Sequence, residues 1–532
     1  MLLVFPPVAK PGEPPAGIAK LAGALSAHNL PVHVLDANIE GLLFLLNSRR
    51  AGQDTWTRRA VKNVAANIAA LRNAKTYGSF DRYSRAVMDV NRAIEKSSCN
   101  DRVIVSLADY QDKQLSPVRS ADLIEAAEHP ERNPFFPWFS RRLPELLLEK
   151  ISLQRREGRD EIQRVSAGEE HAKPFIGFSL NYLSQALCTF SMIGFIRKEF
   201  PGARIILGGG LVTSWMKRPG WRNCFGGLVD DMIAGPGEDP LLRIAGRTGV
   251  NMHSPPNYSL LPVSDYLSPG FILPYSGSSG CFWNKCSFCP ETAEDNPYIP
   301  VAPAEAAGDL DAISRHTAPI LIHLLDNSIS PALMKALADK PPAVPWYGFA
   351  RISKELADFD FCMALKRSGC VMLKLGLESG DQDVLDRLHK GIDLETASLA
   401  LKNLRRAGIA AYVYLLFGTP VETVVEARKT LDFVTAHSRE ITYLNLAIFN
   451  MPVHSRDAGQ YDTEDFYEGD LSLYTAFKHP RGWDRKEVRR FLDTEFKRHR
   501  SIAEIVKRDP PLFTSNHAAL FLKGTLTINE NR

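Results

Sequence analysis

Hydrophobic positions along this chain alternate between short continuous runs, which read as buried strands, and longer stretches where apolar residues recur at helical spacing. Leu2 to Phe5 is a strand pattern, followed by a loop rich in Pro and Gly through Pro15, a helix from Ile18 to His28 and a second strand from Val32 to Leu35. This is how a doubly wound α/β domain begins. From about residue 49 to about residue 170 the pattern turns polar, Arg-rich and helical, as in Arg59 to Ala74, with breaks around Pro134 and Pro137, and it predicts a helical insertion. The strand and helix rhythm then resumes with Phe175 to Leu180, a helix from Gln185 to Phe200, Arg204 to Leu207 running into Gly208-Gly209-Gly210, and Asp231 to Ala234 ending in Gly235-Pro-Gly237-Glu238. Residues 1–250 are thus expected to form a Rossmann-like or flavodoxin-like domain interrupted by the insertion.

Pro255, Pro256 and Pro262 mark a linker, after which six strand patterns follow: Ile272 to Tyr275, Ile320 to Leu325, Tyr347 to Ile352, Val371 to Leu377, Ala411 to Phe417 and Tyr443 to Phe449. Amphipathic stretches lie between them, for instance Leu394 to Arg406 and Glu422 to Ala436. Repeated strand-helix units favour a parallel sheet, and six of them predict a partial (β/α)6 barrel of the TIM type over residues 265–455. Sites in such folds gather at the carboxyl ends of the strands. Residues 456–532 are expected to form a C-terminal helical extension, with a basic amphipathic helix over 484–508 stopped by Pro510-Pro511.

Composition narrows the class. The 532 residues are 45% hydrophobic and 23% charged, which fits a globular chain and excludes disordered, collagen-like and coiled-coil readings. With 64 Lys and Arg against 61 Asp and Glu the net charge is only +3, so no overall field points to nucleic acid or to an acidic membrane. Met1 leads into Leu-Leu-Val-Phe-Pro-Pro with no basic segment, and no apolar stretch approaches the roughly 18 residues of a membrane span. Eight cysteines are too few for a disulfide scaffold, and a reducing cytoplasm is the expected compartment.

Those cysteines are unevenly placed. Cys99, Cys188, Cys224, Cys362 and Cys370 are scattered, whereas Cys281-Phe-Trp-Asn-Lys-Cys286-Ser-Phe-Cys289 follows the first barrel strand and the turn Gly277-Ser-Ser-Gly280. Three thiolates in one short loop can wrap a metal centre, because soft sulfur donors select zinc or iron-sulfur clusters. A structural zinc would want a fourth ligand, and the nearest downstream histidine is His323. Around a four-iron cubane, three ligands leave one iron open to bind a substrate. Phe282, Trp283 and Phe288 would shield such a cluster or serve as ordinary core anchors.

The loop resembles that of the radical SAM superfamily, in which a 4Fe-4S cluster binds and cleaves S-adenosylmethionine. The family's usual spacing is Cys-x3-Cys-x2-Cys, and this chain has Cys-x4-Cys-x2-Cys, similar to a variant in members that carry an N-terminal cobalamin-binding-type domain. Gly376-Leu-Glu378-Ser379-Gly380 is similar to the family's Gly-x-Glu-Ser element, and Phe417-Gly-Thr-Pro-x-Glu422-Thr423 and Lys390-Gly391 fit the same pattern. The resemblance implies that Cys281, Cys286 and Cys289 hold the cluster and that Phe288, Asp326, Arg351, Gly376, Glu378 and Ser379 bind S-adenosylmethionine. The family's Gly-Gly-Glu element near the second barrel strand is not visible, and Asp326 and Arg351 are assigned from their strand-end positions. Arg351 would pair with the cofactor's carboxylate and Asp326 with its ammonium.

Pro6-Pro7, Leu35-Asp36-Ala-Asn38, Gly177-x-Ser179-Leu180, Gly208-Gly209-Gly210 and Gly235-x-Gly237-Glu238 resemble, in order, the cobalamin-binding-type domain. The implied cobalamin contacts are Pro7, Ser179, Leu180, Gly208, Gly209, Gly210 and Gly235. The Asp-x-His-x-x-Gly element that places a histidine on cobalt is absent, as is a Gly-x-Gly-x-x-Gly dinucleotide signature after the first strand. The resemblance implies an enzyme that cleaves S-adenosylmethionine reductively and methylates an unactivated carbon. Its implied partners are a small-molecule or peptide substrate and an electron donor of the flavodoxin or ferredoxin type. Radical cyclisation, rearrangement or oxidation without methyl transfer, and a zinc-stabilised binding protein, are the other readings. Tyr461, Phe466, Tyr467, Tyr474 and Trp483 near the tail could close over a substrate or pack as core.

Overall fold

A computed structural model describes residues 1–48, 54–98, 102–161, 174–218, 220–247, 253–465, 469–511 and 517–524. They divide into two compact units, Met1–Thr76 with Asp81–Leu267 and Glu468–Leu471, and Tyr77–Phe80 with Ser268–Tyr467 and Ser472–Arg532.

The first unit is built on a five-stranded parallel sheet. Its strands are β1 (Leu2–Phe5), β2 (His33–Asp36), β3 (Phe175–Ser179), β4 (Arg204–Gly208) and β5 (Asp231–Ile233), in the order β2-β1-β3-β4-β5. That is the flavodoxin-like order, whose winding reverses between β1 and β3 and leaves a crevice above their carboxyl ends. β1 is apolar at every position and wholly buried, as a strand covered on both faces must be. Helix α1 (Ala16–Ala27) follows β1, and α2 (Leu183–Glu199) follows β3.

The insertion is mainly helical over its described part, with Thr55–Lys62, Val64–Leu71, Phe80–Ser97, Ser120–Glu128 and Phe136–Glu161, while residues 162–173 lie outside the described residues. It also contains a hairpin that the helical expectation lacked. Val103–Val105 pairs antiparallel with Tyr110–Asp112, clipped by the Arg102–Asp112 ion pair at 2.9 Å. Three-residue strands are too short to display a period of two. The insertion also explains why α2 is buried on nearly all sides, since Gly194 lets the chain at Ala127 approach so closely that a Cβ there would lie 1.8 Å from the Ala127 oxygen.

The second unit holds six parallel strands in strict sequence order: β6 (Ile272–Tyr275), β7 (Leu321–Ile329), β8 (Trp346–Ala350), β9 (Cys370–Glu378), β10 (Ala410–Phe417) and β11 (Tyr443–Ile448). β6 and β11 are the edges of this sheet, so it is an open, partial barrel. The connecting helices follow their local signals. The helix Leu394–Ala407 starts where the Asp393 side chain caps the Glu395 amide and stops at Gly408, whose φ of 73° suits glycine. One inward residue from each strand (Ile272, Leu321, Tyr347, Met372, Tyr412 and Tyr443) forms a packed layer, and Leu522 of the terminal 3-10 segment His517–Gly524 joins it from below.

The C-terminal extension is not purely helical, contrary to expectation. Met451–Pro452, Thr463–Asp465 and Tyr474–Phe477 form a small antiparallel sheet. The basic segment is also not one helix. An α-helix, Arg485–Phe491, passes into a π-helical turn, Leu492–Phe496, and a second α-helix, Arg500–Val506, follows. Phe491 and Phe496, five residues apart, both pack on Phe417, with ring centroids at 6.2 and 5.3 Å. A regular α-helix would turn them well apart, so core packing explains the widened turn. Phe466 and Tyr467 lie outside the described residues.

Candidate active site

The loop of three cysteines begins just beyond β6, at the carboxyl end of the barrel. Gly280 reaches it at φ 72°, and a Cβ there would lie 2.3 Å from the Pro297 oxygen, so only glycine lets the chain pass. Asp326 of β7 holds the approach to the loop, accepting from the Gly277 amide at 3.0 Å and the Ser278 hydroxyl at 2.5 Å. Both of its carboxylate oxygens serve this turn, which makes Asp326 a support of the loop. Burial nonetheless raises its pKa above the usual carboxylate range.

The far side of the loop rests on the segment that follows the short helix Gln382–Arg387. Ser287 donates its amide to the Leu388 oxygen, and the Trp283 indole donates to the His389 oxygen at 3.1 Å. Gly391, at φ 60°, is needed because a Cβ would sit 2.4 Å from the Trp283 ring. Arg351 stacks over that ring with its guanidinium 3.8 Å from the centroid, and it donates to the backbone oxygens of Lys390 and Gly391. Asn284 takes the left-handed conformation at φ 41°, where asparagine is among the better tolerated residues. The four residues between Cys281 and Cys286 thus carry a tryptophan across to the 389–391 segment.

All three thiols are free, with Cys286 buried and Cys281 and Cys289 half-buried. Burial raises the Cys286 pKa, opposed by the charges of Lys390 and Arg351. Burial pushes Cys289 up to about 11, opposed by hydrogen bonds from the Glu291 and Thr292 amides. The sulfurs lie within one another's electrostatic reach. Among the described residues, however, no group of three or more His, Cys, Asp or Glu could hold a single metal ion. His323 supplies no fourth ligand, because its ring stacks on Tyr347 at 4.3 Å and its Nε2 lies 3.3 Å from Lys374 Nζ. Three reduced thiols without a fourth ligand, backed by two cations, fit the donor set of a larger iron-sulfur cluster with one open position.

Beside the thiols, Glu378 ends β9 at φ 70° and pairs with Lys390 at 2.8 Å, both side chains nearly buried. Gly376 makes that pair possible, since a Cβ there would lie 2.5 Å from Glu378 Oε1 and 2.9 Å from Lys390 Nζ. Lys390 Nζ also stands 5.5 Å over the Phe288 ring. The structure thus gathers Cys281, Cys286, Phe288, Arg351, Gly376 and Glu378 around one corner of the barrel, with Cys289 on the same loop. Ser379 is fully buried and turned away, its hydroxyl 3.2 Å from Thr430 and accepting from the Asp381 amide. Sequence reasoning included Lys390 in a motif but gave it no site role; its position just after the short helix that follows the strand-end glutamate was the available signal.

In the first unit, Ser179, Leu180, Gly208, Gly209, Gly210 and Gly235 all lie at or just beyond carboxyl ends of strands. Gly209, at φ 111°, is required by packing, because a Cβ would meet the Leu180 oxygen at 2.3 Å. A Cβ at Gly235 would meet nothing within 4 Å, and one at Gly210 would only touch Asn181 at 3.8 Å. Pro7 lies in a buried loop tied to α2, where the Gln185 side chain donates to the Pro6 oxygen at 2.7 Å and Ser184 to the Val8 oxygen at 2.8 Å. The Asn181 side chain donates to Ser179 Oγ at 3.1 Å. Asp36 caps the following helix and accepts from Tyr266 at 2.6 Å, and Asn38 bonds to both backbone groups of Ala9. The Leu35-Asp36-Ala-Asn38 element is therefore structural.

Comparison with known proteins matches residues 275–434 to the family described as the Radical SAM superfamily. Those residues are a radical SAM domain. The matched span runs from the end of β6 through the helix after β10 and includes every residue gathered at the cysteine corner. An uncharacterised methyltransferase of Pyrococcus horikoshii is 25% identical over 203 residues, which cover 36% of this chain and 43% of the relative. The chain therefore spans less than half the length of that curated relative. Among solved structures, the radical S-adenosylmethionine methyltransferase TsrM of Kitasatospora setae, with cobalamin and a [4Fe-4S] cluster bound, has a TM-score of 0.49 at 15% identity, covering 85% of this chain and 75% of that one. The cobalamin-dependent radical enzyme OxsB, with aqua-cobalamin bound, has a TM-score of 0.45 at 13% identity, covering 61% and 59%.

Among the described residues no helix is long and apolar enough to cross a membrane. Four of the scattered cysteines are free, three of them buried and Cys224 half-buried, and Cys99 lies outside the described residues.

Proposed function

We propose that this protein is a cobalamin-dependent radical SAM methyltransferase that modifies an unactivated carbon of a small organic substrate. The observation that carries the reading is the corner of the barrel where three free thiols, the Arg351 and Lys390 cations and the Glu378 carboxylate converge within the radical SAM domain. When bound, a 4Fe-4S cluster with S-adenosylmethionine would supply one-electron cleavage chemistry, and cobalamin would supply a transferable methyl group.

The chain's own residues have distinct tasks. Cys281, Cys286 and Cys289 would hold the cluster as thiolates, and the neighbouring Arg351 and Lys390 lower the cost of their negative charge. Glu378, held by Lys390, would accept hydrogen bonds from the cofactor's ammonium or ribose hydroxyls, and Gly376 keeps the backbone clear beside it. Asp326 and Ser379 fix the two turns from behind. In the first unit, Gly235 leaves room at the carboxyl ends of the sheet, where ligands of this architecture bind, and Gly210 would line the same end beside Asn181. Pro7, Ser179, Leu180, Gly208 and Gly209 would form the adjoining wall for cobalamin. The name methyltransferase borne by the Pyrococcus relative favours methyl transfer. A flavodoxin- or ferredoxin-type donor would supply the electron, and the reaction would take place in a reducing cytoplasm.

Anaerobic reconstitution of the full chain with hydroxocobalamin, iron and sulfide tests this reading. The expected result is bound cobalamin, iron and sulfide near four each, and transfer of label from methyl-labelled S-adenosylmethionine to an organic acceptor. Formation of 5′-deoxyadenosine without cobalamin uptake or methylated product would leave a radical SAM enzyme but remove methyl transfer.

A further inference from the structure

Arg351 follows β8 and stands half-buried against the cysteine loop. Its guanidinium lies 3.8 Å from the centre of the Trp283 ring, and it donates to the oxygens of Lys390 and Gly391, the latter at 2.8 Å. The segment it grips also holds the loop, through the Ser287 amide on the Leu388 oxygen and the Trp283 indole on the His389 oxygen. Trp283 and Ser287 flank Cys286, so the chain on both sides of that thiol is fixed to residues that Arg351 fastens. A Cβ at Gly391 would lie 2.4 Å from the Trp283 ring and 3.1 Å from Arg351 Nη2, so glycine there keeps these groups together. The guanidinium comes within hydrogen-bonding reach of the Cys286 thiol and within the electrostatic reach of Cys281.

The charge of Arg351 is not answered by a carboxylate in contact with it. Its hydrogen bonds to the 390–391 segment go to neutral carbonyls, and among the described residues none of its hydrogen bonds goes to a carboxylate. The other cation at this corner, Lys390, is paired with Glu378 at 2.8 Å. An aromatic face and two carbonyls orient a guanidinium but leave its net charge in place. Two of the three thiols therefore share the corner with a fixed, partly desolvated positive charge, which water screens less than it would at the surface. An electron added to an iron-sulfur cluster adds negative charge, and a neighbouring cation or a hydrogen bond to a ligand sulfur favours the reduced form.

We propose that Arg351 tunes the reduction potential of the cluster, raising it through its charge beside Cys286 and Cys281. The cluster itself comes from the radical SAM reading, on which this inference rests. Arg351 acts through its charge and its hold on the loop, with no bond to it made or broken. Its effect is to bring the cluster within reach of a donor that the bare thiolate set would put further below.

The test is a redox titration of the reconstituted full chain without S-adenosylmethionine, read by the electron paramagnetic resonance of the reduced cluster, with iron and sulfide assayed on each sample. R351M and R351Q are expected to keep the wild-type iron content and to lower the equilibrium constant for reduction at least tenfold, which is about 59 mV for one electron. R351K restores the charge and should recover at least half of that shift. W283F leaves the charge in place and should show less than half of it. A smaller shift in the neutral variants, or a shift in R351K or W283F as large as theirs, would overturn the role of the charge. Loss of the cluster from both neutral variants would make Arg351 a structural support and overturn it as well. Weaker binding of S-adenosylmethionine by R351M at an unmoved potential would make Arg351 a ligand of that cofactor instead. Assay of 5′-deoxyadenosine on the same samples separates the two claims. Its formation with an unmoved potential in the variants defeats the tuning alone, and a moved potential in a chain that forms none defeats the reaction reading alone.

Discussion

Glu378 and Lys390 form an ion pair with 13% and 11% of their side chains exposed, in a corner that leaves no room for a methyl group at Gly376. Gly376→Ala is therefore expected to displace the pair and weaken S-adenosylmethionine at least tenfold, about 1.4 kcal/mol, while iron content stays at the wild-type level. Equilibrium dialysis with labelled cofactor reads the first quantity and elemental analysis the second. Glu422 offers a prediction of a different kind. Its carboxyl is fully buried, accepts from the Gly418 amide and the Trp483 indole, and is pushed up to about 8 by burial, against an ordinary 4.5. The folded state thus holds a proton that the unfolded chain releases between those two values. The stability tied to this group is complete below about pH 4.5 and is lost as pH rises toward 8. Glu422→Gln keeps an acceptor oxygen and cannot ionise. Its unfolding temperature is expected to match wild type near pH 5 and to exceed it by several degrees above pH 8, as read by thermal scans in matched buffers.

Between elements, the terminal 3-10 segment closes the underside of the barrel. Leu522 is 1% exposed among Tyr412, Tyr443 and the other floor residues, so Leu522→Ala should cost about 2–5 kcal/mol, measured by urea unfolding, with the described strands otherwise retained. The sequence made the six barrel strands readable because they are apolar runs between capped helices, and the flavodoxin-like sheet was readable for the same reason. It did not reveal the Val103–Val105 hairpin, the small sheet around Tyr474–Phe477 or the π-helical turn, which depend on contacts between distant residues. The three loop cysteines stood out in the sequence by their spacing, and Glu378 by the resemblance of its surroundings to a Gly-x-Glu-Ser element. The engagement of Asp326 with Gly277 and Ser278, the rotation of Ser379 toward Thr430 and the burial of Lys374 were not, because side-chain direction inside a strand is settled by its neighbours. Trp283 is intermediate between these cases: its place in the motif was visible, but its stacking under Arg351 depends on a glycine at position 391.

On the scale of the whole molecule, 64 Lys and Arg against 61 Asp and Glu leave a net charge of only +3. The first unit offers the carboxyl ends of a 2-1-3-4-5 sheet, and the second offers the carboxyl end of an open parallel barrel. Both are the ends at which such sheets bind ligands. Reductive cleavage of S-adenosylmethionine is the chemistry on which every other assignment depends. The decisive measurement is 5′-deoxyadenosine formed by the anaerobically reconstituted full chain with a strong reductant, set beside a protein in which Cys281, Cys286 and Cys289 are all replaced by Ala. Formation of 5′-deoxyadenosine by the wild type, with loss of both product and iron in the triple variant, is the expected result. A wild-type protein that binds four irons yet forms none, or a triple variant that forms as much as wild type, would contradict it.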